Sequence, residues 1–312
     1  GDQPIYNEDR TVVVIMNGEI YNFPEFKADL IQRGHHFYTN SDTEILAHSY
    51  EEYGLEFLAR LNGIFAFALY DIKDERLILA RDHFGVKPLH YWCQNEVLLF
   101  SSEYKAILVH PAMRRQVNYS ALHCQVNLRY NQSDETLIKG IYRLPPASYL
   151  IYEKGQISIK KYYQLPVNLN FKMTEAEAID GIRFHLQQAV RRQLISDVPL
   201  GVYLSGGMDS SALVAMMAAE KVSSINTFTL GFNESTDEFD DAAIIARQFN
   251  TNHTTTTLAL EPLQHFPATI WHAEEPKINL LQGFHLSEFV SHSLKVVLGG
   301  LGGDELFIGY DI

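Results

Sequence analysis

Ser205, Gly206, Gly207, Met208, Asp209 and Ser210 pack two hydroxyls, a glycine pair and a carboxylate into one short run. An apolar stretch ending at Leu204 precedes them and an apolar helical stretch follows, within VPLGVYLSGGMDSSALVAMM (198–217). Glycines let backbone N–H groups approach a ligand closely, serine hydroxyls add donors, and a helix start contributes about half a positive charge. That combination cradles a phosphate group where the strands of a parallel sheet end. No GxxxxGK[ST] pattern is present, so no loop lysine grips the outer phosphates. Asp209 instead places an anion in an anion site, and a Mg2+ ion between carboxylate and phosphate resolves the repulsion. The competing reading is an ordinary β-turn-α connection built from small residues.

A second glycine-rich run, GGLGGDELFIGY (299–310), follows the apolar KVVL. Gly299, Gly300, Gly302 and Gly303 open the backbone, while Asp304 and Glu305 open the next helix. Those acids either cap that helix or, with Asp304 facing the metal, complete an ATP–Mg2+ site. Between the two runs, TLGF (229–232) offers backbone to an adenine at Leu230 and Gly231.

In the first half, Asn17-Gly18-Glu19 follows an apolar strand. Asn-Gly is the strongest signal for a two-residue hairpin turn. Alternatively, the Asn17 amide and the Gly18 N–H are paired oxyanion donors, with Glu19 near a substrate ammonium. Asp42, in NSDTE (40–44), reads as a plain helix cap. Arg81-Asp82-His83 has the residue types for acid–base chemistry, but a structural polar turn is expected. Cys93 and Cys124 read as small buried residues. Of 13 histidines only His35 and His36 are adjacent, and no metal-ligand set is expected from them.

Two kinds of scaffold must position these groups. The first half has short β-like runs at 11–17, 63–71, 76–82, 90–94, 96–102 and 147–163, separated by turn signals such as KDER and EKGQ. Helices are predicted from about Pro24 to Arg33 and from about Thr43 to Tyr53, each followed by a glycine. This is a mostly antiparallel α+β pattern. The second half alternates: helix 174–194, strand 200–204, helix 210–220, strand 225–231, helix 237–249, strand 253–259, helices 261–272 and 282–293, strand 295–298. Such alternation reads as a parallel α/β sheet. The boundary falls near 165–175, giving domains 1–166 and 167–312.

With 312 residues, 46% hydrophobic and 20% charged, two globular domains are expected. The formal net charge of −13 argues against a nucleic-acid backbone or an anionic membrane as partner. The first residues form no signal peptide and no apolar run approaches a spanning helix, so a cytoplasmic setting is the expectation. The start without Met and the end at GYDI, just after a glycine-rich run, lead us to expect a piece cut at both ends.

Taken in order, the motifs resemble the glutamine-dependent asparagine synthetases. NGEIYNFPEF (17–26), SDTEIL (41–46), LNGIFAFALYD (61–71), ARDHFGVKPLHYW (80–92), FSSEYKAIL (100–108) and YRLPPASYL (142–150) are similar to the class II glutaminase domain. SDVPLGVYLSGGMDSSALVAMM (196–217), FTLGF (228–232) and LGGLGGDELFIGY (298–310) are similar to the synthetase domain. The resemblance implies an N-terminal-nucleophile glutaminase fold followed by a PP-loop ATP pyrophosphatase fold. It implies ammonia release from glutamine and activation of the aspartate β-carboxylate as an acyl-adenylate, with ATP and Mg2+ consumed or required. By resemblance, Asn17 and Gly18 are the oxyanion donors, and Glu19 and Asp42 hold the glutamine amino group. Tyr203, Leu230, Gly299 and Gly300 line the nucleotide, with Gly231 beside them. Ser205, Gly206, Gly207 and Ser210 hold pyrophosphate, and Asp209 and Asp304 face Mg2+.

Three departures qualify what the resemblance implies. The family nucleophile is a cysteine at the mature N-terminus, whereas position 1 is Gly and neither Cys93 nor Cys124 takes that place. The chain as written is therefore not expected to hydrolyse glutamine by that route. Leu301 stands where asparagine synthetases proper commonly carry Glu, which opens other acceptors: a β-lactam or macrocycle-forming ligase, or a sugar amidotransferase. Further cationic residues of the family would lie beyond Ile312. A glutaminase-dead binding module is a third reading, and a homodimer is left open.

Residues 167–312 carry 8 basic and 18 acidic side chains. For a polyphosphate site this is an adverse balance that only a cation offsets. The chain should therefore bind ATP weakly and only with Mg2+. Calorimetric titration with and without the ion checks this, and tight Mg-free binding would contradict it.

Overall fold

The structure, a computed structural model, describes residues 2–166, 172–235, 237–259, 262–276, 280–307 and 309. It divides into two compact units, Gly1–Asn168 with Glu274–Lys277, and Leu169–Ala273 with Ile278–Ile312.

In the first unit the elements run β1 (Ile5–Tyr6), β2 (Val12–Ile20), α1 (Phe23–Gln32), α2 (Glu44–Tyr53), β3 (Gly63–Asp71), β4 (Arg76–Arg81), β5 (His90–Gln94), β6 (Val97–Ser101), α3 (Tyr104–Ile107), α4 (Tyr119–Leu128), β7 (Tyr142–Arg143), β8 (Ser148–Glu153) and β9 (Gln156–Lys161). A 3₁₀ turn, Gly54–Arg60, follows α2. The large sheet has the order β1-β2-β3-β4-β8-β9, antiparallel throughout, and a smaller sheet has the order β6-β5-β7. Alternation along β3 explains the layering. Phe65, Phe67 and Leu69 pack with Phe26 and Leu30 of α1 and Ile45 and Leu46 of α2. Ala66 and Ala68, pointing the other way, pack with Leu89, Tyr91 and Leu150. Bulky residues thus face the helices, and small ones let the second sheet approach.

The strand expected at 11–17 continues to Ile20, so Asn17-Gly18 sits inside β2 and is not a hairpin turn. The reason lies in register: Gly18 pairs with Phe65 of β3, and a Cβ at Gly18 would overlap the Ile64 carbonyl oxygen. Its φ of 150° suits glycine alone. The same alternation that buries Val12, Val14 and Met16 turns Asn17 and Glu19 to the exposed face. Helix α4 is an element that hydrophobic periodicity did not announce. Cys93 and Cys124 are half-buried free thiols, less enclosed than expected.

In the second unit follow α5 (Glu175–Gln193), β10 (Leu200–Tyr203), α6 (Met208–Ala219), β11 (Asn226–Gly231), α7 (Phe239–Gln248), β12 (Asn252–Thr257), α8 (Pro262–Ala273), α9 (Leu280–Ser291), β13 (Val296–Leu298) and α10 (Gly303–Phe307). Thr174 opens α5 with a capping box, its hydroxyl accepting from Glu177 N–H while the Glu177 carboxylate accepts from Thr174 N–H. The four strands are parallel in the order β12-β11-β10-β13. Chain order therefore runs outward from β10 to β12, then returns to β10's other side with β13. Helix α6 begins at Met208, earlier than expected, because Gly207 already serves as its N-cap. The expected boundary and the expected starts at 237 and 261 border positions that lie partly outside the described residues.

The short stretch from 274 joins the first unit although its neighbours in sequence do not. Glu274 accepts from the N–H groups of Tyr104 (2.8 Å) and Lys105 (2.7 Å). Its carbonyl accepts from the Tyr104 hydroxyl. Glu275 pairs with Arg143 at 3.0 Å, and Gln125 donates to the Pro276 carbonyl at 2.6 Å.

Arg81-Asp82-His83 is the structural turn expected. Asp82, 1% exposed, accepts from the N–H groups of Phe65, Phe84, Val86 and Lys87 at 2.9–3.2 Å. The Arg81 guanidinium donates to the carbonyls of Gly85, Lys87 and Leu144. Replacing Asp82 by Ala strands four backbone donors, that of Phe65 buried and the others partly so, and should cost about 3 kcal/mol. Glu56→Ala, at an exposed position, should stay within about 0.5 kcal/mol. Denaturant unfolding of both variants measures the difference.

Candidate active sites

Strand order reverses between β10 and β13, and the loops leaving those two strands are 205–207 and 299–302. In an open parallel sheet a crevice forms at that point, beyond the carboxyl ends of the strands. Here it holds a cavity of about 420 Å³ lined by Tyr203, Ser205, Asp209, Ser210, Leu230, Gly299, Gly300 and Asp304 among others. Its size suits a nucleotide-class ligand. The two glycine-rich runs, far apart in sequence, thus meet at one place.

The phosphate-type loop is already shaped. Ser205 Oγ lies 3.0 Å from Ser210 Oγ and accepts from the Gly207 N–H at 3.2 Å. Ser210 Oγ in turn donates to the Gly207 carbonyl and accepts from the Ser205 N–H, each at 3.2 Å. The two hydroxyls hold the turn open from within, with Gly206 and Gly207 between them at the start of α6. Asp209 lies in that helix's first turn.

Asp209 and the second loop touch. A Cβ at Gly303 would overlap the Asp209 carboxylate, and one at Gly300 would stand 2.9 Å from Asp209 Cβ. Only bare backbone fits there, which brings the start of α10, with Asp304, against Asp209. The described residues lining the cavity include Asp209, Glu238, Asp304 and Glu305, and none of them is Lys, Arg or His. Carboxylates gathered at one hollow are the donor type that suits a hard dication such as Mg2+, and Asp209 and Asp304 are the two that could hold it. When bound, the ion would neutralise phosphate charge beside those carboxylates.

Of the expected ATP residues, Gly206, Gly207 and Gly231 are not in the cavity lining; Gly206 and Gly207 form the turn beside it, and Gly231 lies apart. It ends β11, its carbonyl accepts from Leu258 N–H at 2.9 Å, and the Phe239 ring covers it. Phe228, Thr229, Glu238 and Leu286 line the cavity without having been singled out from sequence. Thr229 opens the TLGF run and Phe228 precedes it, so their place at the end of a central strand was the available signal. Leu286, on α9, had none. Leu301 also lines the cavity and is 93% exposed, an apolar group presented to whatever enters.

On the exposed face of the first unit, Asn17 Nδ2 donates to Ser102 Oγ at 3.3 Å. Asp42 does not cap α2, whose N-cap is Thr43. It turns to β2, where its Oδ2 accepts from the Ile20 N–H at 2.8 Å. Asp42 is thereby fixed to the strand that carries Asn17, Gly18 and Glu19. Burial pushes its carboxyl above the ordinary range, against the opposing hydrogen bonds from Ile20 and Thr43. The candidate glutamine residues and the candidate ATP residues belong to different units and are described separately.

Gly303→Ala should weaken Mg·ATP binding by at least about tenfold, since a methyl group displaces Asp209. Gly283→Ala, where a Cβ meets open space on α9, should leave it unchanged. Isothermal titration of the two variants separates these outcomes.

Comparison with known proteins assigns both units. Residues 1–163 match the family described as glutamine amidotransferase domain, and residues 181–312 match asparagine synthase. Glutamine-hydrolyzing asparagine synthetase 1 of Bacillus subtilis (strain 168) is 33% identical over 320 residues, covering 100% of this chain and 50% of its own length. Glutamine-hydrolyzing asparagine synthetase 3 of the same organism is 38% identical over 253 residues, covering 78% of this chain and 41% of its own length. Amidase chyE of Penicillium rubens (strain ATCC 28089 / DSM 1075 / NRRL 1951 / Wisconsin 54-1255) is 33% identical over 338 residues, covering 100% of this chain and 49% of its own length. The chain spans about half the length of the curated relatives it matches. With one family description on each unit, in the order its motifs require, the chain belongs to the glutamine-dependent asparagine synthetase family.

Proposed function

We propose that the protein makes asparagine from aspartate, ATP and ammonia derived from glutamine, releasing AMP and pyrophosphate. One observation carries the reading: Ser205, Ser210 and Asp209 converge with Gly300 and Asp304 on a single cavity at the reversal of strand order. A crevice that grips pyrophosphate through serine hydroxyls and helix N–H groups, with no loop lysine, suits departure of pyrophosphate as a unit. In that reaction the β-carboxylate oxygen bonds to the α-phosphorus as the bond to pyrophosphate breaks. Ammonia then attacks the acyl carbon, AMP leaves, and the surplus proton passes to solvent. Asp209 and Asp304 would hold Mg2+, which would offset the phosphate charge, and Tyr203, Leu230, Gly299 and Gly300 line the nucleotide.

In the other unit, Asn17 and Gly18 would donate to the oxyanion formed on the glutamine amide, and Glu19 and Asp42 would hold its ammonium. The protein supplied with ATP, Mg2+, aspartate and an ammonia source should yield AMP, pyrophosphate and asparagine. Absence of all three products would sink the proposal.

A second reading keeps the adenylating cavity and changes the acceptor. Leu301 in the cavity wall and the match to an amidase favour it. ATP–pyrophosphate exchange stimulated by a carboxylate other than aspartate would decide for this reading. Stimulation by aspartate alone would decide against it.

Asp42 also generates a pH expectation. Its carboxyl sits above the ordinary range through burial, and only the carboxylate attracts an ammonium. Glutamine binding should therefore weaken on acidification at a higher pH than an ordinary aspartate would give. Asp42→Asn should bind glutamine less well and lose that part of the pH dependence. Calorimetric titrations with glutamine across a pH series test this.

A further inference from the structure

Away from both candidate sites, helix α2 carries Glu44, His48 and Glu51 at spacings that share one helix face. Glu8, from the segment between β1 and β2, and His35, just past α1, come to that face. The result is a cluster that sequence spacing did not announce. One donor atom from each of Glu8, His35, His48 and Glu51 lies within 4.8 Å of the others.

The orientation of the rings points inward. His48 Nδ1 is 3.1 Å from Glu8 Oε2 and 3.7 Å from Glu51 Oε2. His35 Nδ1 is 3.6 Å from Glu8 Oε1, which also accepts from the His36 N–H at 2.7 Å. Each imidazole thus presents Nδ1 to the same carboxylate. Each also turns Nε2 toward an outer carboxylate, His35 to Glu52 at 3.5 Å and His48 to Glu44 at 3.6 Å. Metal-ligating histidines typically have this arrangement, with the second ring nitrogen oriented by an acid. Glu44 is itself fixed, accepting from the N–H groups of Tyr38 and Thr39 at 2.7 Å.

The second observation is an unmet need. His48 is fully buried, at 0% exposure, yet neither of its ring nitrogens makes a hydrogen bond. A buried imidazole left in that state is costly unless something else takes the lone pair. Two donors held at 2.0–2.1 Å by a tetrahedral ion would be about 3.3 Å apart, and the Nδ1–carboxylate distances straddle that value. Charge runs the same way. Glu8, Glu44, Glu51 and Glu52 surround the two imidazoles, and Arg33, 2.9 Å from Glu52, is the guanidinium paired into the group. The pocket is therefore one that attracts positive charge.

We propose that Glu8, His35, His48 and Glu51 bind one divalent transition ion of the zinc class, which pins the segment before β2 and the end of α1 to α2. Two imidazoles and two carboxylates make a closed four-donor set of the borderline kind that zinc favours over magnesium or calcium. The site is structural: no position is left for a substrate, and none of its ligands is among the candidate glutamine or ATP residues.

The test uses the whole chain stripped of metal, titrated with Zn2+ by calorimetry and with Co2+ by visible absorption. One ion per chain, an intense tetrahedral-type Co2+ spectrum and a raised thermal midpoint with Zn2+ are expected. His48 is buried and its replacement risks the fold, so the decisive variants are His35→Ala and Glu51→Gln at the more accessible ligands. Each should lose more than about tenfold in Zn2+ affinity, since even changes outside the ligand shell cost about that much. Asp209→Asn, at the other metal-type site, should retain the zinc stoichiometry. Failure of the unmodified chain to bind one ion, or binding indifferent to both His35→Ala and Glu51→Gln, overturns the proposal and leaves a protonated His48 as the occupant of the cluster.

Discussion

Strand order in the parallel sheet is the constraint on which the synthetase-like unit depends. Parallel strands need crossovers, and crossovers of one hand carry successive helices to alternate faces when the chain changes direction across the sheet. Because β13 returns to the far side of β10, two loops are left without a helix between them. Everything chemical in that unit follows: the glycines that allow approach, the serines that brace the turn, and the carboxylates that face each other. Asp209 could not lie against Gly300 and Gly303 if β13 were added beyond β12.

The two units show opposite treatments of carboxylates. Asp82 is buried and met by four backbone donors, so its charge is spent on holding a turn. Asp209, Glu238 and Asp304 line an open hollow whose described lining includes no Lys, Arg or His. The first arrangement is complete as it stands, and the second is complementary to a cation.

Much of this was legible because local pattern and global role coincide. Alternation in GIFAFALYD predicts β3 to the residue, and the glycine-bounded strands and helices of the second half match their observed order. Asn17-Gly18 was ambiguous because a turn and a mid-strand glycine share the same letters, and only pairing with β3 distinguishes them. Asp42 was ambiguous for a similar reason: its bond to Ile20 joins residues separated by a helix. The His35–His48 approach depends on how α1 packs on α2, and no spacing rule along one chain segment encodes it.

The short stretch beginning at Glu274 has a consequence for biosynthesis. Tyr104 and Lys105 present N–H groups whose acceptor lies 170 and 169 residues further along the chain. On a ribosome adding roughly 5–20 residues per second, that acceptor emerges on the order of ten to thirty seconds later. Through that interval the glutaminase-like unit has its sheets but lacks its closing contacts at Tyr104, Gln125 and Arg143. Those contacts therefore wait on translation of the intervening Leu169–Ala273 stretch, which belongs to the other unit.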